Sequence, residues 1–373
     1  MSAFAQTLVP HPVVLPVKDL RRMIRLVRDL HALSRHCGYR ELVHRTASPL
    51  AQFDPGHDAV LMGYDFHLGP AGPRLIEVNT NAGGTLLASL AQCTQETPGP
   101  LRLSPRLGER ILASFLAEMQ RQSAGTRLRP RRVAIVDEQP QAQFLYPEMQ
   151  AIRELFEAVG IAAVIIEPGE LEERDDGLYH EGKVVDLIYN RHCDFYLETP
   201  AMAAIARAYQ ARRLCLTPNP FVYALLGDKR RMILWSDANI LDGLHLPEKT
   251  RAHLLEMVPT TRLLADLGEE AAWSGRKYLV FKPSTRFGSR GVYVGERIAR
   301  SRFASLPPNE TLAQALVPPS LTYVPGRERP LKTDFRLFAY QDRVHGVAAR
   351  LYTGQVTNLQ SEGSGFAPVR IGA

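Results

Sequence analysis

The stretch Leu75-Ile-Glu-Val-Asn-Thr80, followed at once by Asn81-Ala-Gly-Gly84, decides how the rest of the chain is read. Glu77 and Asn79 stand two apart in a run of strand-forming residues, so both side chains fall on one face. A carboxylate and an amide oxygen on one face are hard donors suited to Mg²⁺. Upstream, Asp65 lies in the strand-like Met62-Gly-Tyr-Asp-Phe-His67, and Gly69-Pro-Ala-Gly-Pro73 between them predicts a hairpin. The hairpin would lay Asp65 beside Glu77, so Asp65, Glu77 and Asn79 would converge as metal ligands. A bare Glu-x-Asn is ordinarily a polar, solvent-facing strand. The glycines that follow, where backbone approaches a ligand closely, favour binding and make Gly83 and Gly84 candidates for substrate contact.

Further along, Phe281-Lys-Pro-Ser-Thr-Arg-Phe-Gly-Ser-Arg-Gly-Val-Tyr-Val294 reads as a strand ending in Lys282, a turn, and a second strand. Gly288, Ser289, Arg290 and Gly291 can fold over phosphates with their N–H groups, while Lys282 supplies a point charge. Taken alone, such a turn is ordinarily structural. In Leu226-Gly-Asp-Lys-Arg-Arg-Met232, Lys229 opens an expected amphipathic helix and offers a second cation. Asp334-Phe-Arg-Leu-Phe-Ala-Tyr340 alternates charged and apolar residues, with Arg336 on the face of Asp334; Arg350 and Asn358 follow. Gly177-Leu-Tyr-His-Glu-Gly-Lys-Val184 imitates a P-loop, but Val184 replaces the Ser/Thr that would hold Mg²⁺, and the motif is set aside.

Around these motifs the chain divides. Residues 1–125 hold a Pro-rich extended arm, an amphipathic helix over 17–36 rich in arginine, the hairpin, and a helix opening at Ser104-Pro105. Residues 126–222 read as a small α/β domain with a parallel sheet: a strand at Val133–Val136, a helix from about Pro147 to Val159, a strand at Ile161–Ile166 and another at Val184–Tyr189, closed by Leu216-Thr-Pro-Asn-Pro220. Arg191, at a strand end of this domain, is a candidate anchor for a substrate carboxylate. Residues 223–373 alternate a helix, strands (Tyr278–Lys282, Leu312–Val317, Phe335–Ala339, Val344–Leu351) and glycine turns, the pattern of a nucleotide-gripping lobe.

The composition sets outer bounds. In 373 residues, 45 Lys+Arg against 39 Asp+Glu leave 45 − 39 = +6. That surplus is a weak field unless clustered, so nucleic acid is disfavoured as a partner, and the arginines of the first helix read as a solvated face. No apolar run suits a membrane span, and no secretion signal is visible, so a soluble, cytoplasmic protein is expected. The four scattered cysteines, without a CxxC pair, read as reduced thiols.

Taken together the motifs resemble the ATP-grasp superfamily of carboxylate–amine ligases. Asp228-Lys-Arg-Arg-Met232, Lys282-Pro, Gly288–Gly291, Gln314-Ala-Leu-Val317, Asp334-Phe-Arg336, Arg350 and Asn358 resemble the ribosomal-protein glutamate ligases in order and spacing. In such a ligase the Asp strand and the Glu-x-Asn strand come next; here they stand near the beginning. The chain therefore looks circularly permuted, and it resembles the eukaryotic glutathione synthetases and the glutathionylspermidine synthetases. Glu77-Val-Asn-Thr80 is also similar to D-alanyl-D-alanine ligase. The fold implied is mixed α/β (α+β), a permuted ATP-grasp with a small parallel-sheet domain ahead of the ATP lobe.

The resemblance implies ATP and Mg²⁺ as cofactors and roles residue by residue. Lys229 and Lys282 would contact phosphates under the Gly288–Gly291 turn. Gln314, Leu316 and Val317 would form the hinge meeting adenine. Asp65, Glu77 and Asn79 would bind magnesium, and Arg350 with Arg336 would stabilise the transferred phosphoryl group; Asn358 joins the substrate candidates. The partners implied are a small-molecule carboxylate and an amine, joined through an acylphosphate. Departures are that Gly63 stands where several of these ligases carry an Arg, and that Asn81-Ala-Gly-Gly84 replaces a Pro-Gly. A kinase on the same fold, a non-catalytic ATP-binding protein, a nucleic-acid binder and a homo-oligomer are left open.

Overall fold

The computed structural model describes residues 5–93, 102–284, 291–357 and 361–373. The expected hairpin forms: Met62–Gly69 pairs antiparallel with Gly72–Asn79, with Asp65 directly opposite Glu77 and an irregularity just after Asp65. The hairpin is not isolated. Met62–Gly69 also pairs with Leu331–Tyr340, placing Arg336 opposite Asp65, and Leu331–Tyr340 pairs in turn with Arg343–Tyr352. Gly365–Ala367 closes one edge, and Ser320–Thr322 pairs along Leu331–Tyr340, so this sheet has six strands. Strands from the first and last thirds of the chain thus share one sheet.

Strict alternation gives that sheet two faces. Tyr64, Phe66, Phe335, Leu337 and Ala339 point into the largest core, where they meet Met23, Val27 and Leu30 of the helix Val17–Leu33. Phe338, Tyr340 and Phe366 point the other way, toward Ile111, Phe115 and Met119 of the helix Pro105–Gln122. The helix stripes recur at three and four residues, so each covers one sheet face. Pro105 starts its helix as expected, but the Ser104 side chain makes no capping bond; its N–H instead donates to Ser89 Oγ at 2.8 Å.

The middle segment builds a four-stranded parallel sheet in the order Cys215–Thr217, Leu187–Asn190, Arg132–Val136, Ala162–Ile166. The single strand expected over Val184–Tyr189 is two. Lys183–Val185 belongs to a three-stranded antiparallel sheet with Glu172–Arg174 and Gly177–His180, whereas Leu187–Asn190 joins the parallel sheet. Buried Asp186 makes the break, because its carboxylate accepts the N–H groups of Arg131 and Arg132 at 2.9 and 3.2 Å. The P-loop imitation is the hairpin of that small sheet.

A third antiparallel sheet runs Thr261–Leu263, Thr311–Ala315, Leu279–Pro283, Tyr293–Val294, over a small core of Phe281, Phe303 and Ala313. Its Thr311 strand stops at Ala315, short of Val317, since Pro318 and Pro319 cannot continue a ladder. The turn before Lys229 also departs from expectation. Tyr223–Gly227 is a wide π turn, Asp228 accepts the Arg230 N–H at 2.9 Å, and the helix begins only at Arg231. Lys229 therefore lies in a turn, not in a helix. In the first helix Arg22 pairs with Glu256 at 2.7 Å and Arg25 donates to the Lys249 carbonyl at 2.8 Å, packing contacts rather than a free basic face. Among the described residues no helix is long and apolar enough to cross a membrane.

Candidate functional site

A cavity of about 840 Å³ is lined by the six-stranded sheet and the sheet that carries Lys282, within the range of small-molecule sites. Its floor is the charged row of the six-stranded sheet. Asp334 faces Arg350 and Arg336 faces Asp65, while Asp65 faces Glu77, each pair by strand register. Arg336 clasps Asp65 with Nε and a terminal nitrogen, both at 2.6 Å. Arg350 reaches Asp65 at 2.9 Å and Asp334 at 2.6 Å, and Thr357 Oγ1 donates to Asp334 at 2.5 Å. Burial alone would raise the Asp65 carboxyl, but Arg336 and Arg350 outweigh it and hold it below the usual carboxylate range.

Asp65, Glu77 and Asn79 converge as the sequence predicts. Asn79 Nδ2 lies 3.4 Å from Asp65 and 3.3 Å from Glu77. Asp65, however, is already an arginine ligand. Among the described residues no group of three or more His, Cys, Asp or Glu could hold a metal. The donors that fit an ion best are Glu77 and the Asn79 amide, which presents its oxygen after a half-turn. A set of one carboxylate and one amide suits Mg²⁺, which keeps places for phosphate oxygens and water.

The other half of the site is cationic. Lys282 is 7% exposed, and its ammonium donates to Gln314 Oε1 at 2.7 Å and to the Ile76 carbonyl at 3.1 Å. Burial pushes Lys282 down to about 8, with Lys229 adding to the fall and Glu77 and Asp65 opposing it. Lys229 lines the same cavity, as do Gln314, Leu316 and Val317 at the bend after Ala315. Gln314 is oriented by its second bond, to Thr261 Oγ1 at 3.3 Å.

Not every expected residue meets the cavity. Gly288, Ser289, Arg290 and Asn358 lie outside the described residues. Gly291 has φ +76° and does not line the cavity among the described residues. Arg191 is turned inward: it donates to the Asn81 carbonyl at 2.5 Å and to the Tyr189 hydroxyl at 3.3 Å, tying the parallel sheet to the glycine turn. Gly83 and Gly84 do line the cavity. Gly84, at φ +94°, precedes the helix Thr85–Gln92, and buried Glu148 accepts the N–H groups of Gly84 and Leu86 at 3.1 and 2.7 Å. A Cβ on Gly63 would stand 2.6 Å from Ala82 Cβ and 3.3 Å from Arg336 Nε, so Arg336 fills the space beside that glycine.

Several cavity residues escaped the motif reading, His67 and Lys332 among them. His67 bonds the Val317 carbonyl at 2.6 Å through Nδ1 and the Tyr352 hydroxyl at 3.4 Å through Nε2. Burial lowers its pKa, so the neutral ring dominates near pH 7. Lys332 donates to the Gly354 carbonyl at 2.7 Å. His67 stands two residues after Asp65 and Lys332 two before Asp334, so strand alternation was the signal for both.

No family model matches the chain, and no curated protein does. Solved structures do. A glutathione synthetase-like effector from Globodera pallida, in apo form, superposes with a TM-score of 0.62 at 11% identity, over 97% of this chain and 89% of that one. A candidate gamma-glutamylcysteine synthetase from Methylobacillus flagellatus KT gives 0.50 at 12% identity, over 90% and 84%. At these identities the likeness is one of fold: a mixed α/β architecture of the glutathione synthetase-like kind.

Proposed function

We propose that this chain is an ATP- and Mg²⁺-dependent carboxylate–amine ligase of the ATP-grasp type. One observation carries the reading: a desolvated Lys282 reaches the strand of Glu77 and Asn79 at the Ile76 carbonyl, in a cavity whose floor holds two buried, carboxylate-anchored arginines. Phosphoryl transfer to a carboxylate requires positioning and charge neutralisation more than a protein nucleophile. Lys229 and Lys282 hold the phosphates, and Gln314, Leu316 and Val317 face the base. Glu77 and Asn79 would hold magnesium, which neutralises phosphate charge when bound. Arg336 and Arg350, fixed by Asp65 and Asp334, orient N–H donors toward the transferred group.

In the first step a substrate carboxylate oxygen attacks the γ-phosphorus and the bond to the bridging oxygen of ADP breaks. An amine then attacks the acyl carbon, phosphate leaves with the C–O electron pair, and the nitrogen loses a proton to give an amide. The Asp65/Glu77 hairpin, encoded ahead of the strands it completes, is read as a circular permutation. The chain is read as residues 1–125, a substrate domain at 126–222 and the ATP lobe at 223–373, working in the cytoplasm where its thiols stay reduced.

The test is product release from ATP with acids and amines supplied singly and together. Phosphate and ADP appearing only with both supports the ligase. ADP without phosphate, on addition of a hydroxyl compound alone, replaces it with a kinase.

A further inference from the structure

The cavity has a second end, beyond the arginines and away from Val317, and its walls differ in kind from the rest. Arg336 donates to the Gly83 carbonyl at 2.9 Å, so the Gly83–Gly84 backbone begins where the charged row stops. A Cβ on Gly83 would stand 2.2 Å from Leu145 Cδ1, and one on Gly84 would stand 2.3 Å from the Phe366 ring. Leu145, Phe366 and neighbouring Phe144 line the cavity there. The wall behind them is apolar too, since Phe366 belongs to, and Leu145 packs against, the core that holds Phe338 and Phe115.

The charged groups bordering this end have protein partners. Asp65 and Asp334 are held by Arg336 and Arg350, and Glu148 is 3% exposed with its oxygens on two backbone N–H groups. None of these carboxylates is available to an α-ammonium. Arg191, which could have met a distal carboxylate, is bonded to the Asn81 carbonyl and the Tyr189 hydroxyl and, unlike Arg336 and Arg350, does not line the cavity. A charged group buried without a partner is costly, so a zwitterionic head is disfavoured here among the described residues. An apolar body loses water against Phe144, Leu145 and Phe366 at a gain.

We infer that the acid activated at this site is a carboxylic acid with an apolar body and no α-ammonium, its carboxylate at Arg336 and Arg350 and its body against Phe144, Leu145 and Phe366. The inference rests on the ligase reading and narrows its substrate class. Binding of butanoate, hexanoate, octanoate and 3-phenylpropanoate to the full chain with ADP and Mg²⁺ tests it, against glutamate and a γ-glutamyl dipeptide. Affinity is expected to rise about fourfold per added methylene until the space is filled, with glutamate and the dipeptide weaker than hexanoate. The variant L145Q, checked for native near-UV circular dichroism, should flatten that dependence. Equal binding along the series, tighter binding of glutamate, or an unchanged slope in folded L145Q overturns the inference. If MgATP stabilises the protein while the acids show no such series, only this inference falls; if MgATP has no effect, the ligase reading falls with it.

Discussion

The two sides of the cleft reach electrostatic balance by different routes. On the floor, Asp334, Arg350, Asp65 and Arg336 form a linear chain of ion pairs between strands, each charge answered by another from the protein itself. On the opposite wall Lys282 is as buried as those arginines, yet its bonds go to a carbonyl and an amide oxygen, both neutral. The difference teaches what each side is for. A self-neutralised row holds its geometry with or without ligand, whereas the desolvated Lys282 ammonium makes no direct ion pair among the described residues and feels Glu77 and Asp65 only through space. Rigid arginines beside an anion-seeking lysine are what a phosphoryl-transfer site needs.

The floor depends most on Asp65. Removing it in D65A leaves two buried guanidinium groups short of a partner, and a loss of about 3–5 kcal/mol is expected in urea unfolding. A loss below about 1 kcal/mol would mean that the ion-paired row does not organise the floor.

Lys282 gives the next largest effect, through pH. Its folded value near 8 lies below that of an unfolded lysine, about 10.4. Between those values the unfolded chain binds more protons, so this group makes stability rise with pH, while below pH 8 its full cost is present. Relative to K282M, the wild type should gain on the order of 2–3 kcal/mol between about pH 8 and 10.4. Parallel pH profiles for the two proteins would contradict a desolvated lysine. Above pH 8, MgATP binding should also take up a proton, seen as a buffer-dependent calorimetric heat.

G63A sharpens the account of Arg336. The new methyl meets Ala82, and either the hairpin or Arg336 must move, at a cost of about 1–2 kcal/mol in thermal melts. E77Q should be the mildest for folding, within about 0.5 kcal/mol, while removing the Mg²⁺-dependent part of nucleotide binding. If E77Q keeps that dependence, Glu77 is not the ligand.

How much of this was legible from residues alone follows from the range of each interaction. The hairpin could be read because Gly69-Pro-Ala-Gly-Pro73 and strand alternation are local signals. The convergence of Glu77 and Asn79 needs only a strand. The capture of Asp65 by Arg336 could not be read, because it depends on the register of strands 271 residues apart. Arg191 read as a candidate anchor for a substrate carboxylate, but it donates instead to the Asn81 and Ala82 carbonyls of the glycine turn, a contact between residues 110 apart. The turn at Lys229 was hidden for a subtler reason: Asp228 anchors Arg230 and delays the helix, a side-chain choice that periodicity does not encode.

The central claim is that Lys282 and its neighbours form a nucleotide-phosphate site whose missing charge is the ligand's. Titration calorimetry of MgATP into wild type and K282M near pH 7 tests it most directly. The account predicts saturable binding to the wild type and binding at least about tenfold weaker to a K282M that melts as cooperatively as its parent. Equal affinity in the two proteins, or no binding to the wild type, would contradict it.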